Sequence, residues 1–146
     1  MDPASVLSLV SSCISITHRA TATIIDLHTL RDKYQRVAQT VDILIGKLNS
    51  TKAATDTLSS WLSTEAALRT LSGCVKDAFD SSLGPCQTAL EGIQQHVAYV
   101  KNPTSTNVTF RGRVRHLWDE ATVKEHVQNL DSQIITLNLL LQVIHM

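Results

Sequence analysis

Histidine and cysteine are the residue types of this 146-residue chain that best suit metal binding or nucleophilic chemistry. A zinc site needs several ligands at short, paired spacings, and a nucleophilic cysteine needs a base within reach. The nearest cysteines, Cys74 and Cys86, are twelve positions apart with no histidine close by. The spacing predicts no catalytic, metal or cofactor site; it favours surface histidines and reduced, buried cysteines, with a regulatory thiol as the minor alternative. These residues are Cys13, Cys74 and Cys86, and His18, His28, His96, His116, His126 and His145.

Glu125 and His126 place a carboxylate beside an imidazole, the pair of groups that general acid–base catalysis uses. Adjacent residues of a helix point away from each other, so these two side chains are not expected to act together. A capping box formed by Thr122 and Glu125 explains the carboxylate better. Glycine-rich phosphate loops, nucleophile elbows and dinucleotide fingerprints are absent from the sequence. The sequence therefore predicts a protein that is not an enzyme.

Arg111, Arg113 and Arg115 alternate with apolar residues in segment 110–118, a pattern that suits contact with lipid headgroups or RNA. Thirteen basic and thirteen acidic side chains cancel, so no overall field attracts nucleic acid or an anionic membrane. Three arginines supply only ~3 kcal/mol of attraction to an anionic surface. We interpret the segment as a solvated loop with Trp118 packed into the core. The three arginines remain headgroup-binding candidates, and no nucleic-acid partner is expected.

The elements that position these residues follow from composition and periodicity. Glycine, proline and aromatic residues are few and good helix formers run throughout, which predicts an all-α domain. Apolar repeats predict an antiparallel bundle of four to five helices in a single domain, 1–146. Asp2 caps the first helix, Asn49–Thr57 is a weak stretch of the second, and Gly84-Pro85 separates the third from its continuation. The predicted helices span about 3–30, 33–62, 64–83, 85–101 and 120–145.

The first predicted helix begins without charge on any face. Pro3 to Thr17 contains no charged side chain, and its polar positions are mainly serines, which form a weakly solvated face. No basic segment precedes it, so it is not a signal peptide, and it is shorter than the roughly 20 apolar residues that span a bilayer. We therefore expect a cytosolic protein in which this helix either packs in the core or inserts into a bilayer. The candidate insertion residues are Val6, Leu7, Leu9, Val10, Cys13 and Ile14, and all of them except Leu7 are expected on one face.

The last predicted helix carries an unbroken apolar seam. From Thr122 onward, apolar side chains alternate at spacings of four and three, which is typical of helix packing on helix. Further apolar residues make the last two turns apolar almost all round, so another surface is expected to cover them. Without a glycine cap or closing proline, the helix indicates an N-terminal domain of a longer, multidomain polypeptide. The seam comprises Val123, Val127, Leu130, Ile134, Leu137, Leu141 and Ile144, and the candidate interaction surface comprises Leu139, Leu140, Val143 and Ile144.

Several segments of the chain together resemble a known family. The chain opens Met-Asp-Pro-Ala-Ser-Val-Leu-Ser-Leu-Val, and Leu30-Arg31-Asp32 precedes a regular apolar repeat at 37–48. Arg115-His116-Leu117-Trp118 and a charged turn then precede the apolar run 130–140. In order and spacing, these segments resemble the HeLo-like N-terminal domains of fungal STAND proteins, the NLR-like receptors of filamentous fungi. The resemblance covers almost the whole chain.

The resemblance implies a function as well as a fold. HeLo-like domains are similar to the HeLo domain and to the four-helix bundle of mixed-lineage kinase-like proteins, in which oligomerisation releases an N-terminal helix that permeabilises the plasma membrane. The resemblance thus implies an effector domain that induces regulated cell death in fungal innate immunity and heterokaryon incompatibility. Implied partners are further copies of the chain, membrane lipids and downstream domains, with movement from the cytoplasm to the plasma membrane on activation. The alternatives are a module for self-association or partner docking without membrane activity, and an inert cap for a downstream domain.

Overall fold

Apolar residues recur at helical spacing in every part of the chain that the structure describes. In the computed structural model these parts are residues 3–33, 38–64, 73–101 and 121–144. They form four α-helices, with no strand inside those ranges, so the predicted all-α bundle is confirmed. The helices are α1 (Pro3–Lys33), α2 (Ala38–Leu62), α3 (Gly73–Lys101) and α4 (Ala121–Ile144).

α1 is one continuous helix of 31 residues, so the predicted first helix is confirmed and extends to Lys33. Proline at its first position costs no hydrogen bond, because the first amides of a helix have no partner in it. Ile14, expected on the buried face, is 59% exposed. The buried seam passes from Cys13 to Ile16 and leaves residue 14 about 100° around the helix from residue 13. The seam consists of Val6, Leu9, Cys13, Ile16, Ala20, Thr23, Ile24, Leu27 and Leu30.

α2 runs without interruption through the stretch that the sequence marks as weak. Two of its threonines donate hydrogen bonds to backbone carbonyls one turn earlier in the same helix. Thr51 Oγ1 donates to the carbonyl of Lys47 and Thr55 Oγ1 to that of Thr51, each at 3.0 Å. Both threonines are fully buried. Burial therefore outweighs their low helix propensity. Residues 34–37, predicted as the start of this helix, lie outside the described residues.

The predicted break at Gly84-Pro85 is wrong, because residues 73–101 form one helix that continues through Pro85. A proline inside a helix costs about 3 kcal/mol, since it removes the amide that would bond the carbonyl of Ser81. Ser81 is exposed, so water can bond that carbonyl. Residues 65–72 of the predicted third helix lie outside the described residues. The burial of side chains before and after the proline outweighs the lost hydrogen bond. These buried side chains are Phe79, Ser82, Leu83, Cys86, Ala89 and Leu90.

The apolar seam of α4 is confirmed wherever its side chains are described. Three of its residues are buried and three more pack partly buried against the core. The helix begins at Ala121, so Thr122 already lies inside it and does not hold the cap position that the sequence predicts. The buried residues are Leu130, Leu137 and Leu141, and the partly buried ones are Val127, Ile134 and Ile144.

The four helices form a square in which each helix packs against two neighbours. Contacts join α1 to α2, α2 to α4, α4 to α3 and α3 to α1, so α1 lies diagonally opposite α4. In the contacts between α1 and α2, and between α3 and α4, residue numbers rise along one helix as they fall along the other, so these pairs are antiparallel. In the contacts between α1 and α3, and between α2 and α4, residue numbers rise together, so these pairs are parallel. α1 and α4 therefore run in opposite directions on opposite corners. The defining pairs are Thr17–Thr55 and Arg31–Asp42, Ser82–Gln133 and Gly92–His126, Ser15–Gln87 and Arg19–Glu91, and Lys47–Asp131 with Ala54–Leu141.

Candidate functional site

The candidate insertion residues all lie in the charge-free half of α1, residues 3–17, and they divide between core and surface. Leu7 and Ile14 are 67% and 59% exposed. Val10 packs partly buried against the core. This half of the helix is thus apolar on its inner side and partly apolar on its outer side. The candidates that lie in the buried seam are Val6, Leu9 and Cys13.

The large apolar side chains exposed on α1 lie along one line of the helix. Leu7, Ile14 and Ile25 are separated by seven and eleven positions, close to two and three full turns. Each is more than half exposed. We call these three residues the α1 stripe. They form an apolar row on the outer side of the helix, and its first two members belong to the charge-free half.

Polar contacts anchor α1 to its neighbours near its middle. Arg19 pairs with Glu91 of α3 at 3.1 Å and donates to Oε1 of Gln94 at 3.2 Å. The hydroxyls of Thr17 and Thr55 share a hydrogen bond of 2.7 Å between α1 and α2. No ion pair can hold the charge-free half, because it contains no ionised side chain. Apolar burial is therefore the main force that keeps this half in the bundle.

Grooves run along both sides of α1. The groove between α1 and α3 has a volume of about 550 Å³, and the groove between α1 and α2 one of about 370 Å³. Ile14 and His18 line both grooves. Arg19 adds a cation to the first and Asp56 a carboxylate to the second. At the end of its charge-free half, the outer side of α1 is therefore bordered by a groove on each side.

The cysteines differ in their surroundings. Cys13 of α1 and Cys86 of α3 are buried, whereas Cys74 is exposed, so the prediction of three buried cysteines is wrong for Cys74, in the first turn of α3. Burial raises the pKa of Cys13 from 9.0 to about 12, with smaller contributions from Cys86 and Asp56. Burial also raises the pKa of Cys86 to about 12. Both buried thiols are protonated at neutral pH and are therefore poor nucleophiles.

A thiol reagent is expected to modify Cys74 alone in the folded protein. Cys13 and Cys86 should react only after unfolding, because burial shields them and keeps them protonated. Mass spectrometry after brief exposure to N-ethylmaleimide should show one modified thiol in buffer and all three in denaturant. Rapid modification of Cys13 in buffer would contradict this expectation and would show that α1 leaves the bundle without a membrane.

The predicted interaction surface of α4 also divides between core and solvent. Leu140 and Ile144 pack partly buried against the core, whereas Leu139 and Val143 are each 57% exposed. Ile135, which lies outside the predicted surface, is 62% exposed one turn before Leu139. Ile135 precedes Leu139 by four positions and does not belong to the packing seam. This spacing is the sequence signal that places it on the same exposed face as Leu139. We call Ile135, Leu139 and Val143 the α4 stripe.

His126 of α4 packs against the backbone of α3. A Cβ atom placed on Gly92 would lie 2.6 Å from Cε1 of this imidazole, so only glycine leaves room for the ring. His96 lies nearby, with 6.4 Å between the ring centroids. Across the described part of the chain, no three histidine, cysteine, aspartate or glutamate side chains gather as metal ligands would. The contact between Gly92 and His126 is therefore best understood as helix packing.

The headgroup-binding candidates Arg111, Arg113 and Arg115 lie outside the described residues, as does Trp118. In the ranges that the structure describes, no helix has the length and apolar character to cross a membrane. No protein-family model, curated protein or solved structure matches the chain. Within the described residues, the surfaces available for a function are therefore the exposed apolar rows of α1 and α4.

Proposed function

We propose that this chain is the N-terminal effector domain of a fungal NLR-like receptor of the STAND class. It induces regulated cell death by self-association and by permeabilising the plasma membrane through α1. The domain is not an enzyme; it rests in the cytoplasm and moves to the plasma membrane on activation. The observation that carries the proposal is the charge-free half of α1, which buries one apolar face and exposes Leu7 and Ile14 on the other. A helix segment without charge enters the bilayer interface without desolvating an ion.

Apolar burial sets the cost of releasing this segment. Val6, Leu9 and Ile16 are buried in the seam, and each contributes roughly 1.5–3 kcal/mol by leaving water. Freeing them into water would therefore cost roughly 5–9 kcal/mol, which is comparable with the stability of a whole domain, about 5–15 kcal/mol. A free α1 is consequently rare in solution. Lipid accepts the same side chains, so a bilayer compensates for a cost that water does not.

In this mechanism α1 is an element with two states. In the resting state it is buried in the bundle, and in the active state its charge-free half lies in lipid. Neighbouring copies shift the balance only if they bind the active state more tightly than the resting one. Self-association at the membrane supplies that difference.

A second candidate function is self-association or partner docking without membrane activity. The α4 stripe favours it, because three exposed apolar side chains lie on a helix half, 132–144, that contains no charge. An apolar row of this kind suits contact with another protein. In this function α1 stays in the bundle and lipid has no effect.

Dye release from anionic liposomes separates the two functions. The wild-type chain is expected to release dye, and release should rise more steeply than in proportion to protein concentration because the proposed mechanism needs several copies. Leu7→Glu should release about tenfold less, because a charge on the inserting face opposes entry into lipid. Leu7 is 67% exposed, so this variant should keep the helical circular dichroism and melting temperature of the wild type.

Ile43→Glu is the matched control for charge and exposure, because Ile43 of α2 is 55% exposed. This variant should release dye as the wild type does. Equal release by the Leu7 and Ile43 variants would remove α1 from the mechanism. No release by a folded wild type that still self-associates would favour the docking module.

A further inference from the structure

We propose that Arg19 of α1 exchanges its partner at the membrane. In the bundle Arg19 pairs with Glu91 of α3, and in the active state it binds the phosphate group of an anionic lipid. This exchange rests on the proposed function, because it occurs as the charge-free half of α1 moves from the bundle into lipid. The phosphate is thus the lipid group that meets α1, and Arg19 is the side chain that recognises it.

Arg19 lies directly after the charge-free half of α1. Between Pro3 and Leu30 it is the only arginine or lysine. It follows residue 17, the last of the charge-free half, by two positions, or about 3 Å along the helix axis. When that half lies in lipid, the long side chain of Arg19 keeps its apolar stem along the lipid and its guanidinium among the headgroups. Arg19 is therefore the first fixed cation of α1 to reach a lipid phosphate.

Arg19 also lies on the polar side of α1. At about 100° per residue, the apolar side chains of the charge-free half cover about half of the helix circumference, because the α1 stripe lies beside the buried seam. Serines occupy the other half, and Arg19 continues their row, since it follows Ser15 by four positions and Ser12 by seven. An amphipathic helix at a bilayer interface turns such a polar side toward the headgroups. The apolar side comprises Val6, Leu7, Leu9, Val10, Cys13, Ile14 and Ile16, and the serine side Ser5, Ser8, Ser11, Ser12 and Ser15.

In the bundle, two contacts with α3 hold the guanidinium of Arg19. Its Nη2 lies 3.1 Å from Oε1 of Glu91, and its Nη1 donates to Oε1 of Gln94 at 3.2 Å. These contacts use two of the five N–H groups of a guanidinium. The side chains of Arg19 and Glu91 are 36% and 43% exposed, and an ion pair at such exposure is weak. A phosphate can therefore compete with Glu91 for Arg19.

The groove between α1 and α3 gives a phosphate access to Arg19. Its volume is about 550 Å³, and Ser11, Ser15 and Gln94 line it together with Arg19. Among the described residues, those that line this groove include no carboxylate. Arginine binds phosphate through two parallel N–H groups, and serine hydroxyls can donate to the remaining oxygens. Glu91, beside the groove on α3, repels the same phosphate, which favours separation of α1 from α3.

Binding to vesicles tests the exchange. Flotation measures how tightly each protein binds phosphatidylcholine vesicles with and without phosphatidic acid. Arg19→Gln should bind the vesicles that contain phosphatidic acid about fivefold less tightly than the wild type, as expected for the loss of one arginine at an anionic surface.

Arg31→Gln is the matched control for this loss of charge. Arg31 also lies on α1, pairs with Asp42 of α2 at 2.9 Å and is 38% exposed. It lies twelve positions beyond Arg19, farther than the reach of an unscreened charge at physiological salt. This variant should therefore bind vesicles within about twofold of the wild type.

Glu91→Gln is a second variant with the opposite expected result. Arg19→Gln and Glu91→Gln break the same ion pair, so a mere loosening of α1 would change vesicle binding in the same direction in both. The exchange predicts instead that Glu91→Gln binds about threefold more tightly, because no carboxylate competes for the guanidinium. Asp42→Asn removes an equal charge from the Arg31 pair and should bind as the wild type does. All four variants should keep the helical circular dichroism of the wild type, because both ion pairs are exposed.

Inorganic phosphate distinguishes a lipid headgroup from a soluble phosphate ligand. At constant ionic strength it should leave the melting temperature of the wild type unchanged, because the exchange requires α1 to enter lipid. A rise in melting temperature that Arg19→Gln abolishes would assign the site to soluble phosphate and overturn the lipid partner.

The vesicle experiment separates this exchange from the membrane proposal. Equal binding by the Arg19 and Arg31 variants, or weaker binding by Glu91→Gln, would contradict the exchange. Dye release by a wild type whose two arginine variants bind equally would leave permeabilisation standing without a role for Arg19. Binding that depends on Arg19 but releases no dye would keep the headgroup contact and argue against permeabilisation. A wild type that does not bind phosphatidic acid vesicles would overturn both.

Discussion

Leu9→Asp is expected to abolish the folded bundle, whereas Leu7→Asp, two positions away, should leave it intact. Leu9 is fully buried and Leu7 is 67% exposed. A carboxylate at position 9 would lie among apolar side chains without a partner, a placement that proteins tolerate poorly. Even Leu9→Ala should lose about 3–5 kcal/mol of unfolding free energy, because it leaves a cavity in the core. Urea and thermal unfolding followed by circular dichroism measure both effects.

The comparison of Leu7 with Leu9 tests the orientation of α1 and guides the choice of variants for membrane assays. A Leu9→Asp protein as stable as the wild type would show that α1 does not bury this face. A large loss of stability in Leu7→Asp would show that the outer face is covered. Loss of dye release in a Leu9 variant carries no information about lipid, because the bundle itself is damaged. Variants at Leu7 separate insertion from folding.

Gly92→Leu is expected to destabilise the bundle by about 2–3 kcal/mol. Leucine favours helix over glycine by about 1 kcal/mol, so propensity alone predicts the opposite sign. The imidazole of His126 occupies the space that any side chain at position 92 would need. That ring must leave its half-buried place between α3 and α4 before leucine can fit. Chemical denaturation of the single variant measures the net effect.

A double-mutant cycle identifies His126 as the cause of that loss. His126→Ala should free the space, so Gly92→Leu should cost less in its presence, with a coupling energy of about 1–2 kcal/mol. Gly46→Leu is the matched control, because Gly46 of α2 is exposed with nothing within 4 Å of its Cβ position. This change should be neutral or stabilising. Additive effects of Gly92→Leu and His126→Ala would contradict the packing described for α3 and α4.

Periodicity predicts the fold well, because the buried side chains of a helical bundle recur at the helical spacings of three and four residues. The seam of α4 follows spacings of three and four, and its described residues pack as that pattern predicts. Gly84-Pro85 misleads because local preference favours a break, while buried side chains on both sides of the proline keep the helix intact. The buried threonines Thr51 and Thr55 show the same effect in α2. Tertiary burial decides these cases, and a single sequence does not reveal it.

The candidate surfaces are harder to predict, because apolar residues occur on several sides of the same helix. In the charge-free half of α1, Val6 and Leu9 face the core while Leu7 faces solvent, and all three are apolar. The apolar character of a side chain alone does not show whether it lies on the buried or the exposed face. The positions of the neighbouring helices decide which residues are buried. Ile14 is exposed for this reason, and Ile135 joins the α4 stripe although only the residues after it are predicted to form a surface.

Insertion of α1 is measured most directly with an environment-sensitive fluorophore on a single thiol. In a Cys74→Ser background, Leu7→Cys and Ile43→Cys offer sites that are exposed in the folded bundle, on α1 and α2 respectively. Each labelled protein is added to anionic liposomes that contain dye in the lumen and nitroxide-labelled lipid chains. Nitroxide quenching reports entry of the fluorophore into the apolar part of the bilayer, in the same sample that reports dye release.

The proposed mechanism predicts that the fluorophore at position 7 is quenched in step with dye release, while the one at position 43 stays in water. Dye release with both fluorophores unquenched would contradict insertion of α1. Equal quenching at both positions would show instead that the whole bundle unfolds into the lipid.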